Sequence, residues 1–230
     1  FSLNSIHELF GAARGYYEAL DSGAFGGQNG TSYFAIESPD WLMLGLDSAY
    51  DATYENTKSI LYMNGAIRGS AQLDFIADCA KKYKPLIVFS HHVPVSLDGK
   101  STTGLWDDVT KALGRAPEFW YFGHTHTGVA YSDTSITAQK GTVARCLGHA
   151  AIPYGKAWGL FKEKGKGPLE PELDWEAHDP LSEAFPGKTT EAQANRVLNG
   201  NAELELTAKG LDEVIYSQTG GVVYKRSFQL

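Results

Sequence analysis

Two apolar runs of strand length each end in a cluster of histidines. Residues 85–89 form the first run, which stops at Ser90-His91-His92, and residues 119–122 form the second, which stops at Gly123-His124-Thr125-His126. Unbroken apolar runs of this length are typical of strands that are covered on both faces. Between them, residues 104–116 place apolar side chains at helical intervals. The pattern predicts a strand, a helix and a second strand.

The order of these elements predicts that the histidines converge. Strands joined through a helix are usually parallel neighbours, so both clusters should emerge at one edge of the sheet, where open α/β sheets bind ligands. In extended backbone His124 and His126 point to one side, whereas the adjacent His91 and His92 point to opposite sides, so that only one of these two can join. The sequence therefore predicts a site of at most three imidazoles.

The remaining periodicity predicts a mixed α/β (α+β) protein with a layered β-sheet core flanked by helices and a β-rich carboxyl-terminal extension. We expect residues 1–154 to form the core domain, and residues 155–230 to form a surface loop followed by a small β-meander packed on the core. Further elements are predicted as helices that begin at Ser5 and Ser70 and as strands over residues 31–37, 41–46, 129–131, 142–147, 173–175, 202–206, 213–216 and 222–226.

Charge and cysteine content narrow the function classes. The formal net charge of -7 gives no basic surface for nucleic acid or an anionic membrane, and the sequence contains no apolar run of membrane-spanning length. Cys79 and Cys146 have no partner at Cys-x-x-Cys spacing, which favours a reduced, cytoplasmic protein, with one long-range disulfide as the alternative.

The clustered histidines favour metal chemistry over nucleophilic catalysis. Neutral imidazole is a common ligand for zinc, copper, iron and nickel, and three imidazoles can hold a catalytic zinc ion with one position left for water. No Gly-x-Ser-x-Gly motif is present, and Ser90 directly precedes His91, which is not the arrangement of a nucleophile and its base. Neither cysteine lies where a strand end meets a histidine.

The combined motifs resemble those of the calcineurin-like metallophosphoesterase superfamily. That family runs Asp-x-His, Gly-Asp, Gly-Asn-His-Asp/Glu, a single His and Gly-His-x-His, and the order and spacing of the last three blocks are matched over most of residues 1–150. The resemblance implies hydrolysis of phosphate mono- or diesters by water activated at a centre of two divalent ions, either manganese, iron or zinc. Its substrate would be a small phosphate ester.

The resemblance also assigns roles to individual residues. His91 and His124 would bind the second metal ion and His126 the first, while His92 would be the outward-facing neighbour. His7, in Ser5-Ile6-His7-Glu8, would be the general acid that protonates the leaving group. Independently of the resemblance, Asp47 ends a neighbouring strand, and we expect it to form a structural or supporting hydrogen bond, with a substitute metal ligand as the alternative. Supporting contacts around the ligands are also expected from His92 and His149.

Two departures from the family pattern leave alternative functions open. Ile6 stands where the family has an asparagine ligand, and the Asp-x-His and Gly-Asp blocks would lie before Phe1, in an amino-terminal segment of the same polypeptide. Without those carboxylates the chain would hold fewer metal ions or none. The alternatives are a catalytically inactive binding or structural module and a mononuclear three-histidine zinc hydrolase.

Overall fold

The computed structural model describes residues 3, 14–28, 30–54, 63–150, 171–177 and 198–230. These residues belong to two compact units: residues 1–96 with 101–124, and residues 97–100 with 125–230. Both units combine strands with short helices or turns, and the predicted mixed α/β class is confirmed. The predicted helix start at Ser5 and most of the predicted loop over residues 155–172 lie outside the described residues.

In its described residues, the first unit contains a mixed arrangement of four strands, a short two-stranded pair and three α-helices. Its elements are, in chain order, α1 (Arg14–Asp21), β1 (Phe34–Glu37), β2 (Leu42–Leu46), β3 (Thr53–Tyr54), β4 (Met63–Asn64), α2 (Ser70–Ala80), β5 (Leu86–Ser90), α3 (Gly104–Leu113) and β6 (Phe119–Phe122). Strand β1 pairs antiparallel with β2, whereas β2, β5 and β6 are parallel neighbours in that order. The predicted parallel pairing of the two histidine-bearing strands is confirmed.

Apolar packing explains why the central strands and α3 form. All four residues of β6 are buried, and β5 buries four of its five. The indole ring of Trp106, on the buried face of α3, stacks on that of Trp120 in β6 with ring centroids 5.8 Å apart. Gly114 ends α3 in the left-handed conformation, at φ 70°, which glycine adopts without a steric penalty.

The second unit is mostly β structure. Its elements are β7 (Gly128–Tyr131), α4 (Ile136–Gln139), β8 (Val143–Leu147), β9 (Leu173–Glu176), β10 (Gly200–Thr207), β11 (Gly210–Ser217) and β12 (Val222–Gln229). Strand β7 pairs antiparallel with both β8 and β9. Strands β10, β11 and β12 form the predicted antiparallel meander.

A buried ion pair connects the meander to β8. The Nε of Arg145 donates a hydrogen bond to Oε2 of Glu213 at 2.8 Å, and both side chains are fully buried. The guanidinium also donates to the carbonyl oxygen of Tyr131 at 3.1 Å and lies over the ring of Phe228, with 5.4 Å to the ring centroid. These contacts satisfy the charge of a cation that would otherwise be costly to bury.

Within the described ranges, no helix is long and apolar enough to cross a membrane.

Candidate metal site

Three histidines of the first unit bring ring nitrogens together where β5 and β6 end. One ligand atom from each of His91, His92 and His124 lies within 4.8 Å of the other two. His91 and His92 follow β5 directly, and His124 follows β6 after Gly123. The parallel register of the two strands, with Ser90 opposite Phe122, brings the three rings to the same edge.

The prediction that His91 and His92 point apart is wrong, as is the outward placement of His92. Strand β5 ends at Ser90, so the alternation of a strand no longer applies to the two histidines. His92 is fully buried, and its ring lies 4.9 Å from that of His91 and 4.6 Å from that of His124, measured between centroids. His92 therefore belongs to the histidine group itself.

Ser48 fixes the orientation of the His92 ring. Its Oγ lies 3.1 Å from Nδ1 of His92 and accepts a hydrogen bond of 3.1 Å from the backbone N–H of the same residue. Nε2 of His92 is buried and has no hydrogen-bond partner among the residues that the structure describes. When Nδ1 donates its proton to Ser48, the lone pair of Nε2 is available to a metal ion.

Gly65 provides the space that the His92 ring occupies. A Cβ atom at position 65 would lie 2.3 Å from Cβ of His92 and 2.6 Å from its Cγ, much closer than the 3.5–4.0 Å of ordinary carbon contacts. Only glycine fits at this position while His92 keeps its place. Because Gly65 follows β4, the loop before α2 forms one wall of the site.

His91 and His124 have the spacing of two ligands of one ion. Nε2 of His91 lies 3.2 Å from Nδ1 of His124. Two imidazole nitrogens that bind a tetrahedral zinc ion at about 2.0–2.1 Å are separated by about 3.3–3.4 Å. The pair is close enough to share one ion, and without an ion the same contact is a hydrogen bond between the two rings.

Hydrogen bonds fix the backbone around the histidines. Ser90 Oγ donates to the carbonyl oxygen of His92 at 2.8 Å and accepts from the indole N–H of Trp120 at 2.9 Å. The N–H of Gly123 donates to the carbonyl oxygen of His91 at 3.1 Å, which joins the two chain segments beyond the strands. His124 adopts φ 67°, in the left-handed region that is unfavourable for residues other than glycine.

Burial keeps His92 in the form that binds metals. Burial and the nearby His124 ring lower the pKa of His92 to about 3. The imidazole is consequently neutral across the physiological range, as a metal ligand must be before an ion arrives.

Three further residues were predicted for the site, namely Asp47, His126 and His7. Asp47 is buried after β2, where its Oδ1 accepts the N–H groups of Ala49 and Tyr50 at 3.0 Å each, so this carboxylate stabilises a turn. His126 belongs to the second unit and has φ 52°. His7 lies outside the described residues.

His149 occupies a cradle within the second unit. A Cβ atom at Gly128 would lie 2.8 Å from its Cε1, and one at Gly200 would lie 2.2 Å from its Nε2. Burial lowers the pKa of His149 to about 4. The described histidine group does not include this residue.

Ser48 and Gly65 were not among the residues predicted from sequence. The position of Ser48 could have been inferred from its distance to a strand end. Ser48 lies two residues beyond the end of β2, and His92 lies two residues beyond the end of β5. The two strand ends are neighbours, because Leu46 pairs with Ser90. No such signal marks Gly65, because its role depends on a contact with a residue 27 positions away.

No protein-family model matches the chain, and no curated protein is significantly similar to it.

Proposed function

We propose that this chain supplies the histidine ligands of a metal-dependent hydrolase that cleaves phosphate mono- or diesters, as a metallophosphoesterase does. The observation that carries the proposal is the set of three imidazoles within 4.8 Å, one of which has a buried ring nitrogen without a hydrogen-bond partner in the described part of the chain. Buried polar atoms are normally paired, and a metal ion would give this nitrogen a partner. A bound divalent ion would supply a Lewis acid that activates water for attack on phosphorus.

The roles of the protein groups follow from their surroundings. With Nδ1 of His92 donating to Ser48, Nε2 would keep its lone pair for a metal ion, and Nε2 of His91 and Nδ1 of His124, 3.2 Å apart, would bind the same ion. His7 is proposed as the proton donor to the departing alcohol, by resemblance to the family pattern.

The number of ions depends on carboxylates. Two neighbouring cations need anionic ligands between them, and the group found among the described residues consists of histidines alone. In the two-metal form of the proposal, these ligands would come from carboxylates outside the histidine group. The three imidazoles of the first unit specifically favour a second candidate, a mononuclear three-histidine zinc hydrolase.

Metal binding is the first test. The purified chain, stripped with a chelator, is dialysed against zinc or manganese and analysed for bound metal. We expect about one ion per chain, and an affinity at least about tenfold lower for His91→Ala, His92→Ala and His124→Ala. His149→Gln removes an imidazole from outside the group and should retain the wild-type affinity.

Two outcomes would change the proposal. If His126→Ala lowers metal affinity as strongly as His124→Ala, the site follows the Gly-His-x-His pattern of the family rather than the three-histidine set. If the wild-type chain binds no zinc, manganese or iron, and its thermal stability does not respond to these ions, the chain is an inactive module.

Activity is the second test. Hydrolysis of p-nitrophenyl phosphate and bis-p-nitrophenyl phosphate is measured with each metal between about pH 5 and pH 9, a range that spans the relevant pKa values. Metal-dependent release of p-nitrophenol that is lost in His92→Ala is expected. Absence of hydrolysis under every condition would refute the enzymatic proposal.

A further inference from the structure

A cavity in the first unit has aromatic and acidic walls. It encloses about 210 Å³, and its principal lining residues are Tyr17, Ser32, Tyr33, Asp47, Tyr50 and Asp51. A cavity of this size takes a small chemical group rather than a large ligand. No cationic side chain is among its lining residues.

The aromatic residues come from three separate segments. Tyr17 lies on α1, Tyr33 directly precedes β1, and Tyr50 follows β2. Tyr33 is braced by Phe75 of α2, with ring centroids 4.9 Å apart. Tyr50 is 70% exposed and lies at the open side of the cavity, where its ring is accessible to a ligand.

The acidic residues are held in place by the backbone. Asp51 accepts the N–H groups of Arg68 and Gly69 through Oδ2 at 2.7 and 3.1 Å, and it makes no ion pair within the described ranges. Gln72 fixes the backbone of Asp47 through two hydrogen bonds, of 2.8 and 3.0 Å. Neither carboxylate is therefore carried on a mobile surface side chain.

The lining of the cavity includes two carboxylates, Asp47 and Asp51, and no cationic side chain. The pKa of Tyr17 is raised by burial and then by the proximity of Asp47 and Tyr50. Negative surroundings and phenol rings together favour a positively charged group, because the face of an aromatic ring attracts a cation.

We propose that this cavity binds an alkylammonium group. Taken with the proposed function, on which this part rests, the substrate would be the phosphate ester of an amino alcohol. Its ammonium group would lie between the tyrosines and Asp51.

The two sites adjoin along the chain. Asp47 lines the cavity, and the next residue, Ser48, contacts His92. Asp47, Ser48 and His92 are all buried, so this connection is made through the protein interior. The cavity volume of about 210 Å³ favours a small amino alcohol over a long-chain amine.

Binding of choline and tetramethylammonium chlorides to the metal-free chain tests the cavity alone. Titration calorimetry at ionic strength matched with sodium chloride should give a dissociation constant on the order of 1 mM. The uncharged isostere 3,3-dimethyl-1-butanol should bind at least about tenfold more weakly. Equal binding of the isostere would overturn the proposal, since the cavity would then be merely apolar.

Substitutions locate the binding. Tyr50→Ala should weaken choline binding about two- to fivefold, in the range of a partly exposed cation–π contact, whereas Tyr50→Phe retains the ring and most of the affinity. Asp51→Asn should weaken it by a similar factor. Tyr83→Ala removes a tyrosine that is 89% exposed and lies outside the cavity, and serves as the matched control. Equal affinities for Tyr50→Ala and Tyr83→Ala would refute the site.

Metal and cation binding can fail independently. His92→Ala should abolish the metal site while leaving choline affinity within about twofold. If choline binds normally but the chain takes up no metal, the cavity stands and the hydrolase proposal falls. If metal binds but choline does not, only the cavity proposal is overturned.

Discussion

Replacing Gly65 with alanine should damage the metal site without altering a ligand. The new Cβ would lie 2.3 Å from Cβ and 3.0 Å from Nδ1 of His92, so the histidine must move by roughly 1.2 Å or more to restore an ordinary contact. That movement breaks the 3.1 Å contact between His92 and Ser48. Overpacking costs about 1–3 kcal/mol and the lost hydrogen bond about 1 kcal/mol, so the free energy of unfolding should fall by about 2–4 kcal/mol.

Two measurements follow this change. Thermal unfolding monitored by circular dichroism should show the first unit melting about 6–12 °C earlier. Zinc affinity, measured by competition with a chromophoric chelator, should fall about 10- to 100-fold, as for other substitutions that displace the support of a ligand. Ser48→Ala should show the same direction of effect on affinity with a smaller loss of stability.

Gly104→Ala is the matched control. A Cβ atom there meets no atom within 4 Å, and alanine is the better helix former at the start of α3. Its stability should be unchanged or slightly raised, with unchanged zinc affinity. A Gly65→Ala protein that melts and binds zinc like the wild type would show that the loop before α2 does not press on His92, and the reasoning would fail.

Two further predictions concern the second unit. Arg145→Ala leaves Glu213 buried without its cation and should cost about 3–5 kcal/mol in urea unfolding, whereas Arg145→Met combined with Glu213→Leu should recover most of that loss; similar stabilities for the single and double variants would contradict this view of the pair. Burial raises the pKa of Glu176 to about 9, above its value of about 4.5 when unfolded. Between these pH values the folded protein keeps the carboxyl protonated whereas the unfolded chain does not. The free energy of unfolding should therefore decline as pH rises through this range. Glu176→Gln should flatten this decline and be about 1–3 kcal/mol more stable at pH 7.5, and a pH slope that parallels the wild type in urea unfolding would refute the assignment.

Local patterns predicted the elements well. Strand β6 has the bounds expected from its apolar run, and the meander strands β10, β11 and β12 fall where alternation and glycine-containing turns indicate them. Helix α3 likewise follows its apolar spacing and ends at Gly114. These features depend on neighbouring residues only, which a sequence shows directly.

The histidine site was predictable only in part. The parallel order of β5 and β6 brings His91 and His124 together as expected. The predicted outward orientation of His92 was wrong because it assumed that the alternation of side chains in the strand continues beyond Ser90, where β5 ends. Ser48 lies 44 residues from His92 along the chain, and no local sequence pattern predicts the contact between them.

The left-handed backbone of His124 has a consequence for which residues this site can tolerate. At φ 67° the conformational free energy of glycine is lower than that of histidine by an amount on the order of 1 kcal/mol. A chain selected for thermal endurance alone would therefore gain by losing this imidazole. At position 124, the backbone conformation favours glycine, whereas metal binding requires histidine. A screen for heat-resistant variants should therefore recover replacements of His124 that no longer bind metal.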